Sequence, residues 1–285
     1  MVFMLSYVLN TALSFIFVKI VGNLVPDFLM VFISVTFAIV FFNAINYKSM
    51  LGIYSNFFKK NFKLFFFLNL YAFVVWVLSF FIPIFYSPSV FLMTMFAVLA
   101  ILGNISVYLN NKANKFLIYV NILIIANLIY LFVLYAHELT SFLHFILFAI
   151  GGIAAGIFGH FYIKTSHQIG TDIKLKSTQV LAVRFWMLWI CSLILVLFYR
   201  EIGFADVTYL PKILFISVIT LLLPIYFLQR AIEKIGANKT GIYTGLVPIT
   251  IVIMEIIVFH QLPEFIFPAI FHGIIIFSVE FAKKK

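Results

Sequence analysis

The sequence predicts an all-α polytopic membrane protein with ten transmembrane helices arranged as two inverted five-helix repeats. Three observations carry that expectation. Apolar residues fill 65% of the 285 positions and charged residues only 10%, where an ordinary soluble chain is roughly a quarter charged. Mean hydropathy is +1.19, and 38 positions are phenylalanine, more apolar area than a water-facing surface can hide. Apolar runs of the length needed to cross a hydrocarbon core, about 20 residues, recur along the whole chain.

The spans follow from where those runs are interrupted by charged residues or by Pro, Gly and Asn. They fall at about 2–22, 25–47, 62–83, 86–109, 114–135, 141–163, 178–199, 210–231, 237–259 and 264–281. Between them the longest connections, 48–61 and 164–177, read as loops, and no extramembrane domain is expected. The N-terminus lacks the basic segment and the small-residue cleavage pattern of a signal peptide, so the first run is expected to stay as a span. The lone cysteine, Cys191, lies in an apolar run and reads as a packed residue.

The formal charge of +10 is a topology signal. With a cytoplasmic N-terminus, the inner segments within 48–63, 112–115, 164–184, 230–239 and 283–285 hold every basic residue except Lys19, Arg200 and Lys212. The positive-inside rule then places both termini in the cytoplasm of a cell (inner or plasma) membrane. A nucleic-acid partner is not expected, because the lysines sit in separate short segments and form no single patch. The expected partners are the lipid bilayer and a small-molecule solute.

Five spans in each half invert the second half relative to the first, with repeats expected at 1–136 and 137–285. Such repeats hold a binding site near the membrane midplane. Two tight turns, Ser87-Pro88-Ser89 and Gly236-Ala237-Asn238, superpose at an offset of about 149 residues, a weak internal similarity.

"RAIEKIGANKTGIYTGLVP", Arg230 to Pro248, resembles the signature of EamA-type members of the drug/metabolite transporter superfamily, in which a turn leads into a helix with a proline at its middle. "STQVLAVRFWMLWICSLIL", Ser177 to Leu195, is similar to the same family's Arg-Phe helix, with Arg184-Phe185 in the matching place. The family's Gly-Glu pair would fall at His260 and Gln261, so that carboxylate is absent and Glu255 is not its equivalent. Similarity covers about 142–281 by motif and 1–136 by span count and spacing. It implies a ten-helix secondary transporter, often an exporter of small metabolites. No Walker-type loop is present, so no nucleotide or other cofactor is called for.

Several residues are candidates for the transport site. Glu255 lies about 10 Å to the outer side of Pro248, still within the hydrocarbon, where a carboxylate must face a cavity or a partner or be protonated. It reads as a substrate contact or a proton-coupling acid. Arg184 lies roughly 7 Å to the cytoplasmic side of its span's middle, which separates it in depth from Glu255. Its guanidinium suits a carboxylate or phosphate, and a helix-locking arginine is the alternative. His160 closes the small-residue run "GGIAAGIFGH" and is a second coupling candidate, beside an interfacial reading. Asn10, Tyr71 and Trp76 are placed near the midplane, with Tyr243 and Thr244 about one turn before Pro248, as substrate contacts; packing is the competing role. Pro248 is a candidate hinge, and Asn104, Asn121 and Asn127 read as interhelical hydrogen-bond glue.

The leading expectation is a secondary transporter for an amino acid or related solute, working by alternating access with or without proton coupling. A lipid-linked sugar flippase component and a non-transport membrane scaffold stay open. An enzyme is not expected, because Asp27, Asp172 and Asp206 stand alone and no HExxH motif occurs. No metal site is expected.

Overall fold

The computed structural model describes residues 1–21, 27–85, 88–110, 115–136, 142–201, 210–260 and 266–282. Ser87, Lys112, Asp206, Gln261 and the three C-terminal lysines, to which the sequence reading refers, lie outside the described residues. Within them the regular structure is helical: α1 Val2–Val21, α2 Asp27–Ile45, α3 Tyr47–Lys60, α4 Phe62–Phe85, α5 Pro88–Asn110, α6 Phe116–Ala136 and α7 Phe142–Asp172. Then follow α8 Ser177–Val183, α9 Trp186–Phe198, α10 Leu210–Ser217, a π-helical turn Val218–Leu222, α11 Leu223–Ile235, α12 Ala237–Thr244, α13 Val247–Phe259 and α14 Ile266–Ala282.

Among the described residues, seven helical stretches are long and apolar enough to cross a membrane, and Val2–Phe17 and Ile266–Val279 are shorter apolar helices. Side-chain placement agrees with a lipid solvent. On α6, Ile118, Ile122, Ile125, Ile129 and Val133 are exposed, whereas Asn69, Thr94, Asn104, Asn127 and His272 are buried. Polar groups inside and apolar groups outside is the arrangement a bilayer demands.

Three expectations are corrected. The 48–61 segment is helical as far as Lys60, because Met50, Ile53 and Phe57 repeat at helical spacing and bury one face of α3. The 164–177 segment is also largely helix: α7 continues to Asp172, with Ser166 and Ile169 fully buried, and the chain turns only at Ile173–Lys176, where Lys174 takes a positive φ of 59°. The seventh and ninth spans are broken, the former at Arg184-Phe185 and the latter at Gly245-Leu246. The eighth is distorted as well. Pro224 has no N–H for the Thr220 carbonyl, and just before it the ladder widens so that Leu223 N–H bonds Val218.

The chain forms two compact units, each drawing on both sides of residue 136. One comprises Met1–Phe73 and Thr165–Lys234. In it α2 packs against α8, α9 and α10, and α1 against the π-helical turn. Ser14 Oγ donates to the Ile219 carbonyl at 3.1 Å, Ser34 and Ser217 share a hydroxyl hydrogen bond of 2.7 Å, and Trp189 Nε1 donates to Thr36 Oγ1 at 2.9 Å. Glu201 accepts the Leu29 N–H at 2.7 Å, satisfying one of the orphan donors in the first turn of α2.

The other unit comprises Val74–Lys164 and Ile235–Lys285. Here α5 packs against α6 and α12, and α14 against α6 and α13. Close approach rests on glycines: a Cβ on Gly156 would lie 2.6 Å from Val98 Cβ and 2.8 Å from the Met95 carbonyl oxygen, and one on Gly273 would lie 2.6 Å from Ile249 Cδ1. The asparagines tie helices together as expected. Asn104 donates to Asn121 Oδ1, and Asn127 donates to the Pro268 carbonyl, both at 2.9 Å.

Candidate functional site

The break in the seventh span is a densely hydrogen-bonded polar feature of the first unit. Ending α8 at Val183 and restarting at Trp186 frees carbonyls on one side and N–H groups on the other, which an apolar environment does not tolerate unpaired. Asn69 of α4 satisfies both sides, donating to the Val183 carbonyl at 2.9 Å and accepting the Trp186 N–H at 2.9 Å. Asn43 of α2 donates to the Ala182 carbonyl at 3.0 Å. Tyr54 of α3 accepts the Trp186 indole N–H at 2.9 Å, and its hydroxyl lies 3.1 Å from Asn43 Oδ1 and 3.3 Å from the Ala182 carbonyl. Burial raises the Tyr54 pKa above its ordinary value, against the opposing hydrogen bonds from Trp186 and Asn43, so this hydroxyl keeps its proton at neutral pH.

Arg184 occupies the break itself. It is only 1% exposed, and its guanidinium carbon lies 4.3 Å from the centre of the Phe185 ring, within cation–π range. Asn10 and Tyr71 belong to the same unit. The Asn10 amide donates to the Ser6 carbonyl at 2.8 Å within its own helix, and Tyr71 stacks on Phe67 with ring centres 5.5 Å apart.

The ninth-span break lies in the second unit. Gly245 N–H and Leu246 N–H bond the carbonyls of Ile242 and Tyr243, a tightened final turn, both at 3.1 Å. Gly245 is closely packed there: a Cβ would lie 2.9 Å from Ile276 side-chain atoms and 3.1 Å from the Ile242 carbonyl oxygen, so Ile276 would have to shift. Pro248 therefore does not bend a continuous helix. It sits in the first turn of α13, where its missing N–H is harmless. Tyr243 and Thr244 are buried, and the Thr244 hydroxyl donates to the Gly241 carbonyl at 2.6 Å.

His160 of α7 is buried, its Nε2 3.3 Å from Ser106 Oγ of α5, and a Cβ on Gly241 would lie 4.0 Å from its Nδ1. Thus His160 stands beside the helix that carries Tyr243 and Thr244. Glu255 of α13 and Trp76 of α4 are each half-buried in this unit. Sequence reasoning missed Asn43, Tyr54 and Asn69. The available signal was Asn69 alone among the phenylalanines and leucines of "FKLFFFLNLYAF". Among the described residues no cluster of His, Cys, Asp and Glu is placed to hold a metal.

Long apolar helices that turn hydrophobic side chains outward and keep polar ones within define a multi-pass membrane protein. Residues 166–279 match the EamA-like transporter family, of the drug/metabolite transporter superfamily. That stretch runs from the last turns of α7 into α14, so both helix breaks lie inside the transporter-like segment. No curated protein matches the chain in sequence.

Proposed function

We propose that the chain is a secondary transporter of a small organic solute, an amino acid or related metabolite, working by alternating access with export as its direction. The observation that carries this reading is the pair of broken spans inside the matched segment. Discontinuous helices expose main-chain groups and concentrate polar side chains at membrane depth, and transporters build their substrate sites from such breaks. The buried Arg184 at the first break suits an anionic solute group through its planar fork. Glu255 and His160 are the proton-coupling candidates, and Asn10, Tyr71, Trp76, Tyr243 and Thr244 the further contacts.

The grouping of segments supports an inverted repeat across ten spans. The second span shares a unit with the seventh, and the fourth and fifth with the ninth and tenth, so three of the five corresponding pairs of the two predicted repeats fall together. With the lysine asymmetry, this reading places both termini in the cytoplasm.

The test is a proteoliposome uptake screen of small solutes with and without a proton gradient, run on the wild type, Arg184→Ala and Glu255→Gln. Gradient-dependent movement of one solute class, with at least about tenfold loss in Arg184→Ala, is the expected result; losing a charge-assisted contact accounts for about 1.5–3 kcal/mol. No movement of any solute under any gradient overturns the transporter reading. Full gradient-driven transport by Glu255→Gln overturns the coupling role of that residue alone.

A further inference from the structure

The helix α3 presents a surface that the proposed transport cycle does not use. At 3.6 residues per turn, Met50, Ile53 and Phe57 point into the protein, and Tyr47, Leu51 and Phe58 form a second apolar stripe roughly a quarter turn away. That second stripe is exposed: Leu51 is 87%, Tyr47 68% and Phe58 58% accessible. Lys48 and Lys59 follow roughly another quarter turn round. Residues 47–63 contain four lysines, Lys48, Lys59, Lys60 and Lys63, and no acidic residue. A helix with one face on protein, one apolar stripe open and a basic edge beside it is built to lie in a membrane interface, its stripe among acyl chains and its lysines at headgroup level.

We propose that α3 is a docking surface for anionic phospholipid, on the side that the lysine distribution assigns to the cytoplasm. Charge complementarity selects the occupant: an apolar stripe alone takes any lipid, whereas Lys48 and Lys59 beside it, with Lys60 and Lys63 where α3 ends and α4 begins and no acidic residue between them, select a negative headgroup. The docked helix bears directly on the broken seventh span. Gln179 donates to Ser49 Oγ at 3.0 Å, and Thr178 donates to Asn46 Oδ1 at 3.1 Å at the start of α3. Tyr54 holds Trp186 and Ala182 on the two sides of Arg184. Lipid that seats α3 therefore also steadies the break.

The experiment uses the full chain, delipidated in neutral detergent and titrated with phosphatidylglycerol or phosphatidylcholine, with bound lipid counted by native mass spectrometry. Each lysine near an anionic surface contributes about fivefold in affinity, about 1 kcal/mol. The variant Lys48→Gln, Lys59→Gln, Lys60→Gln, Lys63→Gln is expected to bind phosphatidylglycerol at least about tenfold more weakly, with phosphatidylcholine binding unchanged. A comparison variant lacking three other lysines assigned to the cytoplasmic side, Lys164→Gln, Lys174→Gln, Lys176→Gln, is expected to keep the preference. An unchanged preference in the first variant, or equal loss in both, overturns the proposal. Should the first variant not fold, the wild type decides: raising salt from about 0.05 to about 0.5 M shortens the screening length and must remove most of the preference. Hydrogen exchange reads the coupling. Phosphatidylglycerol is expected to slow exchange at 182–189 in the wild type but not in Tyr54→Phe, and no slowing in the wild type overturns the link to the break.

Discussion

Replacing Asn69 with alanine tests whether one side chain holds the broken span together. In the wild type its amide makes two 2.9 Å hydrogen bonds, one to each side of the break. Removing it leaves the Val183 carbonyl and the Trp186 N–H buried without that partner, and each unsatisfied buried group costs about 1–3 kcal/mol. The expected destabilisation is therefore about 2–6 kcal/mol. That exceeds the roughly 0.6 kcal/mol average for side-chain hydrogen bonds between membrane helices, because those groups usually find other partners and main-chain groups at a helix end do not. Asn43→Ala is the internal control. Its Ala182 acceptor also lies within reach of the Tyr54 hydroxyl, so a cost of about 1 kcal/mol is expected. The assay is reversible unfolding of the full chain from neutral detergent into dodecyl sulfate, followed by helical circular dichroism. A cost for Asn69→Ala no larger than for Asn43→Ala refutes the argument that Asn69 satisfies the break.

Two further substitutions probe packing and the α3 contact. Gly156→Ala drives a methyl to 2.6 Å from Val98 Cβ and 2.8 Å from a main-chain oxygen that has no rotamer to escape into. About 1–3 kcal/mol of destabilisation is expected in the same titration. Gly159→Ala meets only the flexible Leu99 side chain at 3.3 Å and is expected to cost under about 1 kcal/mol; equal costs would show that the stripe does not set the α5–α7 approach. Tyr54→Phe strands the Trp186 indole N–H, with an expected cost of about 1–3 kcal/mol, and midpoints indistinguishable from wild type would remove Tyr54 from the network.

Much of the fold was legible in composition and period. Sustained apolar runs identify membrane helices because the bilayer leaves no other way to satisfy a main chain, and the Arg-Phe and Gly-Ala-Asn motifs marked the segment that the family model matches. The α3 helix was legible in principle, since Met50, Ile53 and Phe57 have helical spacing, but lysines in a short interspan segment resemble a loop. Pro248 was the natural guess for a bend; the break falls instead at Gly245-Leu246, where a Cβ on Gly245 would crowd Ile276.

By itself the sequence determined the solvent, the rough span positions and the charge asymmetry. Each is a property of residue type summed over a window, and needs no knowledge of what touches what. The tertiary structure alone decided where helices stop inside the membrane. Whether the chain breaks at Arg184 depends on Asn69, more than a hundred positions away, supplying both a donor and an acceptor there. An interrupted ladder in an apolar medium persists only where a distant side chain replaces its lost hydrogen bonds, and that pairing is set by packing.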